Sequence, residues 1–333
     1  MSIREIGSEF WDVPVCEKKH NVFPETVQWF LSGRSALQSI VSELKGCHSV
    51  AVPSWCCDSI IKPFVDAGYD IQFYSVYWMN GLIQKIDLDC DVLFLMDYFG
   101  YSVISPDLGC YKGIVIRDVT HSIFSSTYSD ANYYFGSLRK WCGFWTGGFA
   151  WCSDGHKLTI NNTGDSGYVA LRENAMQQKA EYIEGKRTDK NYLKTFEQAE
   201  NVLESVGFVS AAERDVKNAR QLDVEYIREQ RKKNAEVLRK SFFDWLIFPQ
   251  KKENDVPMFV PILVPNGKRN ELRKYLIQNK IYCPIHWPLS TYHELDDEMK
   301  VLYENELSLV CDQRYSENDM LRVVKAIKEF MEK

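Results

Sequence analysis

Short apolar runs alternating with helix-patterned segments constrain the fold of this chain more than any other feature. Val50-Ala51-Val52-Pro53, Asp70 to Val76, Val92 to Met96, Gly113 to Ile116 and Phe149-Ala150-Trp151 read as strands. Ser35 to Leu44 carries apolar residues at helical spacing, and Asp58 through Val65, closed by Gly68, reads as another helix. Short apolar strands separated by helices predict an α/β fold, with a mostly parallel central sheet covered on both faces. The pattern changes near Arg172. From there to about Arg239 the chain is rich in Lys, Arg, Glu and Gln, as in a solvated helix with one apolar stripe. After Phe248-Pro249 the alternation returns. Met258 to Val264 reads as a strand, Lys268 to Gln278 as a helix, Pro284-Ile285-His286-Trp287-Pro288 as a rigid loop, and Glu317 to Glu332 as a closing helix. This organisation predicts a large domain over residues 1–224 and a smaller α+β domain over 225–333.

Composition narrows the class. The chain of 333 residues is 45% hydrophobic, enough for a large core. A net charge of -6, with acids interleaved among the bases, argues against a nucleic-acid partner. No apolar run approaches bilayer length and Met1-Ser2-Ile3-Arg4-Glu5 lacks a secretory h-region, so no membrane association is expected. The ten cysteines form no CxxC pair and mostly sit in apolar contexts, as buried thiols do in a reducing compartment. A cytoplasmic enzyme without a metal centre is the expectation.

The run Tyr133-Tyr134-Phe135-Gly136-Ser137-Leu138-Arg139-Lys140-Trp141-Cys142-Gly143-Phe144-Trp145-Thr146-Gly147-Gly148 sets one lysine among large apolar side chains. An ammonium buried there is costly to keep charged, and a lysine that loses its proton is a nucleophile able to form a Schiff base. The competing reading is a lysine whose stem crosses an aromatic patch while its head reaches water. Asp118 follows the strand Gly113–Ile116, where ligands sit in open α/β sheets, and can pair with a protonated ring nitrogen; it can equally cap a turn. His121 can orient Asp118 or touch a ring substituent. Gly33-Arg34-Ser35 opens a helix, presenting backbone N–H groups and a guanidinium to an anion. GxGxxG, GxxxxGK[ST], HExxH and GxSxG are absent, so dehydrogenase, P-loop, zincin and α/β-hydrolase readings lack support.

Taken in order, these pieces resemble the fold-type I pyridoxal-phosphate enzymes and, within them, the DegT/DnrJ/EryC1/StrS aminotransferase-like family. Leu31-Ser32-Gly33-Arg34-Ser35-Ala36-Leu37 is similar to that family's phosphate-binding turn, and Val52-Pro53-Ser54-Trp55-Cys56-Cys57 to its Val-Pro-Ser-aromatic segment. Ile116-Arg117-Asp118-Val119-Thr120-His121 resembles Ile-Glu-Asp-Ala-Ala-Gln. Ser137-Leu138-Arg139-Lys140 with Gly147-Gly148 resembles the lysine segment, and Leu307-Ser308-Leu309 with Tyr315 to Asp319 the closing Leu-Ser-Leu-Pro and helix.

The resemblance implies pyridoxal 5'-phosphate as cofactor, Lys140 as its covalent anchor and proton shuttle, and Asp118 on the ring nitrogen. Gly33, Arg34, Ser35 and Ser137 would hold the phosphate. Cys57 stands where the family's ring-stacking aromatic falls, and Trp55 is the candidate to replace it, with a core tryptophan as the alternative. Tyr98, Phe99, His286 and Trp287 would line the substrate pocket or pack at the domain junction. Phe135 stands where relatives carry a serine, and their Gly-Tyr-Asn-x-Arg segment is missing between Thr163 and Arg187. The implied activity is a homodimeric aminotransferase that passes an amino group from an amino acid such as glutamate to a nucleotide-linked keto sugar. A different reaction at Cα, or a family-like protein that binds cofactor or sugar without turnover as a regulator or partner, is the alternative.

Overall fold

The computed structural model describes residues 4–17, 22–78, 82–86, 89–102, 108, 111–125, 130–161, 166–203 and 206–333. In chain order the elements are β1 (Ile6–Gly7), β2 (Gln28–Phe30), α1 (Gly33–Glu43), β3 (Ser49–Pro53), α2 (Asp58–Asp66), β4 (Asp70–Trp78), β5 (Leu82–Lys85), β6 (Val92–Met96) and β7 (Ile114–Asp118). They continue as β8 (Tyr133–Ser137), β9 (Gly148–Cys152), α3 (Ser166–Ile183), α4 (Tyr192–Leu203), α5 (Glu213–Arg220), α6 (Val224–Ser241) and β10 (Phe259–Leu263). The last are α7 (Arg269–Gln278), β11 (Ile281–Tyr282), α8 (Asp297–Asn305), β12 (Glu306–Val310) and α9 (Glu317–Met331). The chain forms two compact units, one of Met1–Ser8, Cys47–Tyr128 and Val224–Lys333, the other of Glu9–Gly46 and Ser129–Asp223.

In the first unit β7, β6, β3 and β4 run parallel, with β5 antiparallel at the edge of β4. Every residue of β6 is buried, which is why its sequence shows no alternation. The carboxyl half of this unit has its own core. Leu238 of α6, Leu272 and Leu276 of α7, and Val323 and Ile327 of α9 pack with Val260, Ile262, Leu307 and Leu309 of the antiparallel pair β10–β12. Two helices there begin on side-chain caps: Asp296 accepts from Met299 N, and Ser316 and Asp319 form a reciprocal capping box.

The second unit holds the antiparallel strands β2, β9 and β8. A parallel arrangement is excluded here because Leu138–Gly147, the link from β8 to β9, is too short for a crossover. Gly148 is the tightest point. A Cβ at this position would lie 2.1 Å from the Ser32 carbonyl oxygen, so β9 and the residue before α1 touch backbone to backbone. Ser32 then caps α1, its hydroxyl accepting from Ser35 N at 3.1 Å.

Three differences from the sequence expectations have local causes. The charged stretch from Arg172 to Arg239 is not one helix: it runs from within α3 through α4 and α5 into α6, with Gly185 at φ +75° just past the end of α3. The strand expected over Gly113–Ile116 runs to Asp118 instead of stopping at Ile116, so Asp118 ends β7. Tyr133–Ser137, whose aromatic residues read only as surroundings for a lysine, is itself a strand.

The Gly148 contact yields a direct test. Gly148→Ala must push a methyl into backbone that cannot yield as a side chain would, and should cost about 1–3 kcal/mol in urea unfolding. A loss within a few tenths of that of Gly46→Ala, where nothing lies within 4 Å but φ is +78°, would refute the contact.

Candidate active site

In the second unit the residues expected to bind an anion lie together. Gly33 opens α1, and a Cβ built on it would sit 3.4 Å from both the Gly136 carbonyl oxygen and Ser137 Cβ. The end of β8 therefore lies beside the first turn of α1. Ser35 N and Ala36 N are occupied by the Ser32 hydroxyl and carbonyl. The N–H groups of Gly33 and Arg34 have no acceptor within the helix and belong to its positive end. Ser35 is buried, its hydroxyl 3.1 Å from that of Ser32, while Arg34 and Ser137 are half-buried. The first turn of α1 and Ser137 at the end of β8 thus lie side by side.

Lys140 closes a short 3-10 turn, Leu138–Lys140, that continues β8. Leu138 N donates to Gly147 O at 2.9 Å, and Trp141 N and Cys142 N donate back to Leu138 O. Leu138, Trp141, Cys142 and Phe144 are buried, but Lys140 itself is exposed. Of the two readings of this lysine, the exposure fits the one whose head reaches water: the apolar neighbours turn into the core and leave Lys140 on the outer side. Its nearby field is mixed. Arg139 pairs with Glu200, and Arg172 lies 3.6 Å from the same carboxylate. Burial would raise the Glu200 carboxyl, but the charges of Arg139, Arg172 and Lys140 outweigh it and hold it below the ordinary value. Thr146, in the loop before Gly147, is anchored by its N–H and hydroxyl donating to Asp215 at 2.6 and 2.7 Å.

The first unit positions the other candidates. Asp118, 7% exposed, accepts from Thr120 N at 2.8 Å, a turn contact at the carboxyl end of β7. Next to it, Arg117 donates to Asp97 at 2.6 Å, and Ser122 donates to the other oxygen of Asp97. His121 is buried and its Nδ1 accepts from Phe99 N at 3.1 Å, which places the proton of the neutral ring on Nε2. Phe99 sits at φ +52°, a left-handed conformation a bulky residue rarely adopts, followed by Gly100 at φ +80°. A Cβ on Gly100 would lie 1.9 Å from Val256 O.

Trp55, Tyr98, Phe99, His121, His286 and Trp287 form one aromatic cluster in this unit. Trp55 is wholly buried and stacks on Tyr98, centroids 5.1 Å apart at 11°. Its indole N–H donates to His286 O at 2.7 Å, and the Tyr98 hydroxyl donates to Trp55 O at 2.7 Å. Trp287 stacks on His121 at 5.8 Å and 16°. Cys57, by contrast, stands at the N-cap of α2 with its thiol 3.4 Å from Asp58 Oδ1.

Sequence reasoning missed the polar group beneath this cluster. His286 N donates to Glu306 Oε2 at 2.7 Å, and His286 Nδ1 lies 2.8 Å from the Ser308 hydroxyl, which donates to Glu306 Oε1 at 2.6 Å. Glu306 and Ser308 are fully buried on β12. Burial pushes the Glu306 carboxyl up to about 8 against the opposing pull of Ser308, His286 N and Arg269. An acidic residue opening an otherwise apolar strand was the available signal.

No protein-family model matches the chain, and no curated protein matches it in sequence. Solved structures do. A DegT DnrJ EryC1 StrS aminotransferase from Brucella abortus superposes with a TM-score of 0.62 at 15% identity, covering 91% of this chain and 85% of that one. Helicobacter pylori PseC, an aminotransferase involved in the biosynthesis of pseudoaminic acid, gives 0.62 at 14% identity over 97% and 99%. NtdA from Bacillus subtilis with bound cofactor PMP gives 0.61 at 12% identity over 92% and 73%. The chain has the fold of these aminotransferases. Likeness at such identity establishes the architecture alone.

Glu306 makes stability pH-dependent with a definite sign. Its ordinary value is 4.5 and its folded value about 8, so the folded chain binds more protons than the unfolded chain across that window. Its contribution is full below pH 4.5 and is lost as pH rises toward 8. The urea midpoint of Glu306→Gln should therefore fall less between these pH values than that of the parent chain. Parallel pH profiles would refute the assignment.

Proposed function

We propose that this chain is a pyridoxal-phosphate-dependent aminotransferase. The observation that carries the reading is the exposed Lys140 amine on a turn that continues the strand packed against the N-terminus of α1. Gly33, Arg34, Ser35 and Ser137 would bind the cofactor phosphate. Asp118 would hold a proton at the ring nitrogen, and its burial keeps water from competing. Pyridoxal phosphate, when bound, supplies an electron sink for charge developing at the substrate Cα. Lys140 would anchor the cofactor covalently and then move the proton at that carbon. His121 would touch a ring substituent, and Trp55, Cys57, Tyr98, Phe99, His286 and Trp287 remain candidates for the ring face and substrate pocket.

The amino donor in this reading is an amino acid, glutamate first, and the acceptor a keto sugar carried on a nucleotide. The likeness to PseC, an aminotransferase involved in the biosynthesis of pseudoaminic acid, supports a sugar acceptor. We further propose a homodimer working in the reducing cytoplasm, with residues 1–224 as the cofactor domain and 225–333 as the smaller one. No disulfide is formed among the described cysteines, and no described helix is long and apolar enough to cross a membrane.

Purified protein reconstituted with pyridoxal phosphate should be yellow, and borohydride should fix the cofactor on the peptide containing Lys140. Glutamate should bleach the colour and yield 2-oxoglutarate. Lys140→Ala should lose the covalent adduct and at least about 100-fold in turnover. A colourless protein that cannot be reconstituted overturns the reading. Colour without bleaching by any amino donor would favour the non-catalytic binder or another reaction at Cα.

A further inference from the structure

We propose that Glu306, Ser308 and His286 form a proton relay, in which the buried carboxyl decides whether His286 Nε2 gives or takes a proton. Glu306 and Ser308 are positioning residues that act only through the imidazole. All three belong to the first unit. β12 carries Glu306 and Ser308 two positions apart, and so on one face of the strand, and the loop after β11 brings His286 to them. The relay itself stands on these hydrogen bonds; what His286 acts on rests on the aminotransferase reading.

Proton counting carries the proposal. Glu306 Oε2 accepts from His286 N at 2.7 Å, and a backbone N–H can only donate, so this oxygen is an acceptor in either state of the carboxyl. Glu306 Oε1 lies 2.6 Å from the Ser308 hydroxyl, which lies 2.8 Å from His286 Nδ1. The hydroxyl has one proton to place between these two neighbours. With the carboxylate charged, that proton goes to Oε1 and Ser308 Oγ accepts from Nδ1–H, so the neutral ring keeps its lone pair on Nε2. With the carboxyl neutral, its proton sits on Oε1 and is donated to Ser308 Oγ. The hydroxyl then donates to Nδ1, and the neutral ring carries its proton on Nε2. Passing from the neutral to the charged state moves one proton along the chain. The Glu306 Oε1–H bond breaks as a new Ser308 Oγ–H bond forms, the former Ser308 proton goes to Nδ1, and the Nε2 proton leaves to an acceptor. The ring is neutral before and after, and the charge Glu306 gains balances the proton lost.

The surroundings hold the ring in place while its tautomer changes. Its centroid lies 5.0 Å from that of Phe259 and 5.2 Å from that of Phe99, and the His286 carbonyl accepts from the Trp55 indole at 2.7 Å. The charged and titratable neighbours come from several elements. From α7, Arg269 Nη1 donates to the Glu306 carbonyl at 3.0 Å, and Arg273 donates to the Cys283 carbonyl at 3.2 Å. Burial pushes the Cys283 thiol up to about 12, so it stays neutral. Glu304, in the last turn of α8, lies in the field of Arg269. The His121 ring stands 6.2 Å away with its Nδ1 accepting from Phe99 N. Burial lifts the Glu306 carboxyl to about 8, so both of its states are open near neutral pH. A keto acceptor in amino transfer loses its oxygen as water, and the proton from His286 Nε2 goes to that oxygen; the donor half of the reaction returns it.

Full-length protein labelled with nitrogen-15 histidine reads the tautomer directly by NMR, the His286 signals being identified by their loss in His286→Gln. The neutral ring should carry its proton on Nε2 below the Glu306 midpoint and on Nδ1 above it, with the change centred near pH 8. In Glu306→Gln the amide oxygen takes the His286 N–H and the amide nitrogen can only donate to Ser308, so the ring should keep its proton on Nε2 throughout. A tautomer that does not change in the parent chain, which needs no variant to observe, overturns the relay. So does an unaltered change in Glu306→Gln. Amino transfer by Glu306→Gln should fall about 100-fold and lose the parent's pH dependence near 8; an unchanged pH profile overturns the catalytic part. A protein that never takes up pyridoxal phosphate overturns the aminotransferase reading instead, because the tautomer measurement needs no cofactor.

Discussion

The second unit is organised by the backbone of Gly148 passing against the carbonyl of Ser32. No side chain fits there, so β9 can lie on the residue that caps α1. Its consequence runs in two directions along the chain. Ser32 is held where its hydroxyl closes the first turn, and Gly33 is held against Ser137 at the end of β8. The N-terminus of α1 and the turn bearing Lys140 therefore share one backbone origin. The helix dipole acts only within the first turn, so a displacement of a single residue would separate the positive end of α1 from Ser137. At its other end α1 presents Glu43 to His156, and both ends of the helix are then occupied with polar chemistry.

The first unit solves a different problem, that of keeping polar groups inside an aromatic cluster. Phe99 N is satisfied by His121, Trp55 by the His286 carbonyl, and His286 by Glu306 and Ser308. Each of these bonds is stronger for lack of water, and each partner would be costly to leave alone. Glu306 shows the cost most clearly, since burial favours its neutral form despite two donors aimed at it. Phe99 in a left-handed conformation is a second local cost, accepted where Gly100 allows the chain to meet Val256.

The strands β3, β4, β6 and β7 and the helices α1, α2, α7 and α9 could be read from residues, whereas the grouping of Gly33 with Ser137 came only from the family resemblance. The reasons are local. Apolar runs buried on both faces, helical periodicity and a Gly-x-Ser helix start are properties of neighbouring positions. What the residues left open was burial. Lys140 is flanked by Leu138, Trp141 and Cys142, yet a 3-10 turn sends these inward and the lysine out. Trp55 read equally well as a ring-stacking or a core residue; its face lies on Tyr98 in the structure. Glu306 and Ser308 carried almost no signal, because what defines them is His286, which arrives from another segment of the chain.

By itself, then, the sequence determined an α/β chain with a lysine turn, a carboxylate at the end of a strand and a helix start suited to an anion. Those follow from periodicity and residue chemistry over a few positions, where backbone geometry leaves little choice. Tertiary structure alone decided which side chains face solvent, which ring covers which, and which acids are buried. The contacts of His156 with Cys152 and with Glu43 belong there too. Such contacts join residues far apart in the chain, and their energies depend on burial and approach to within a few tenths of an ångström, quantities no local pattern records.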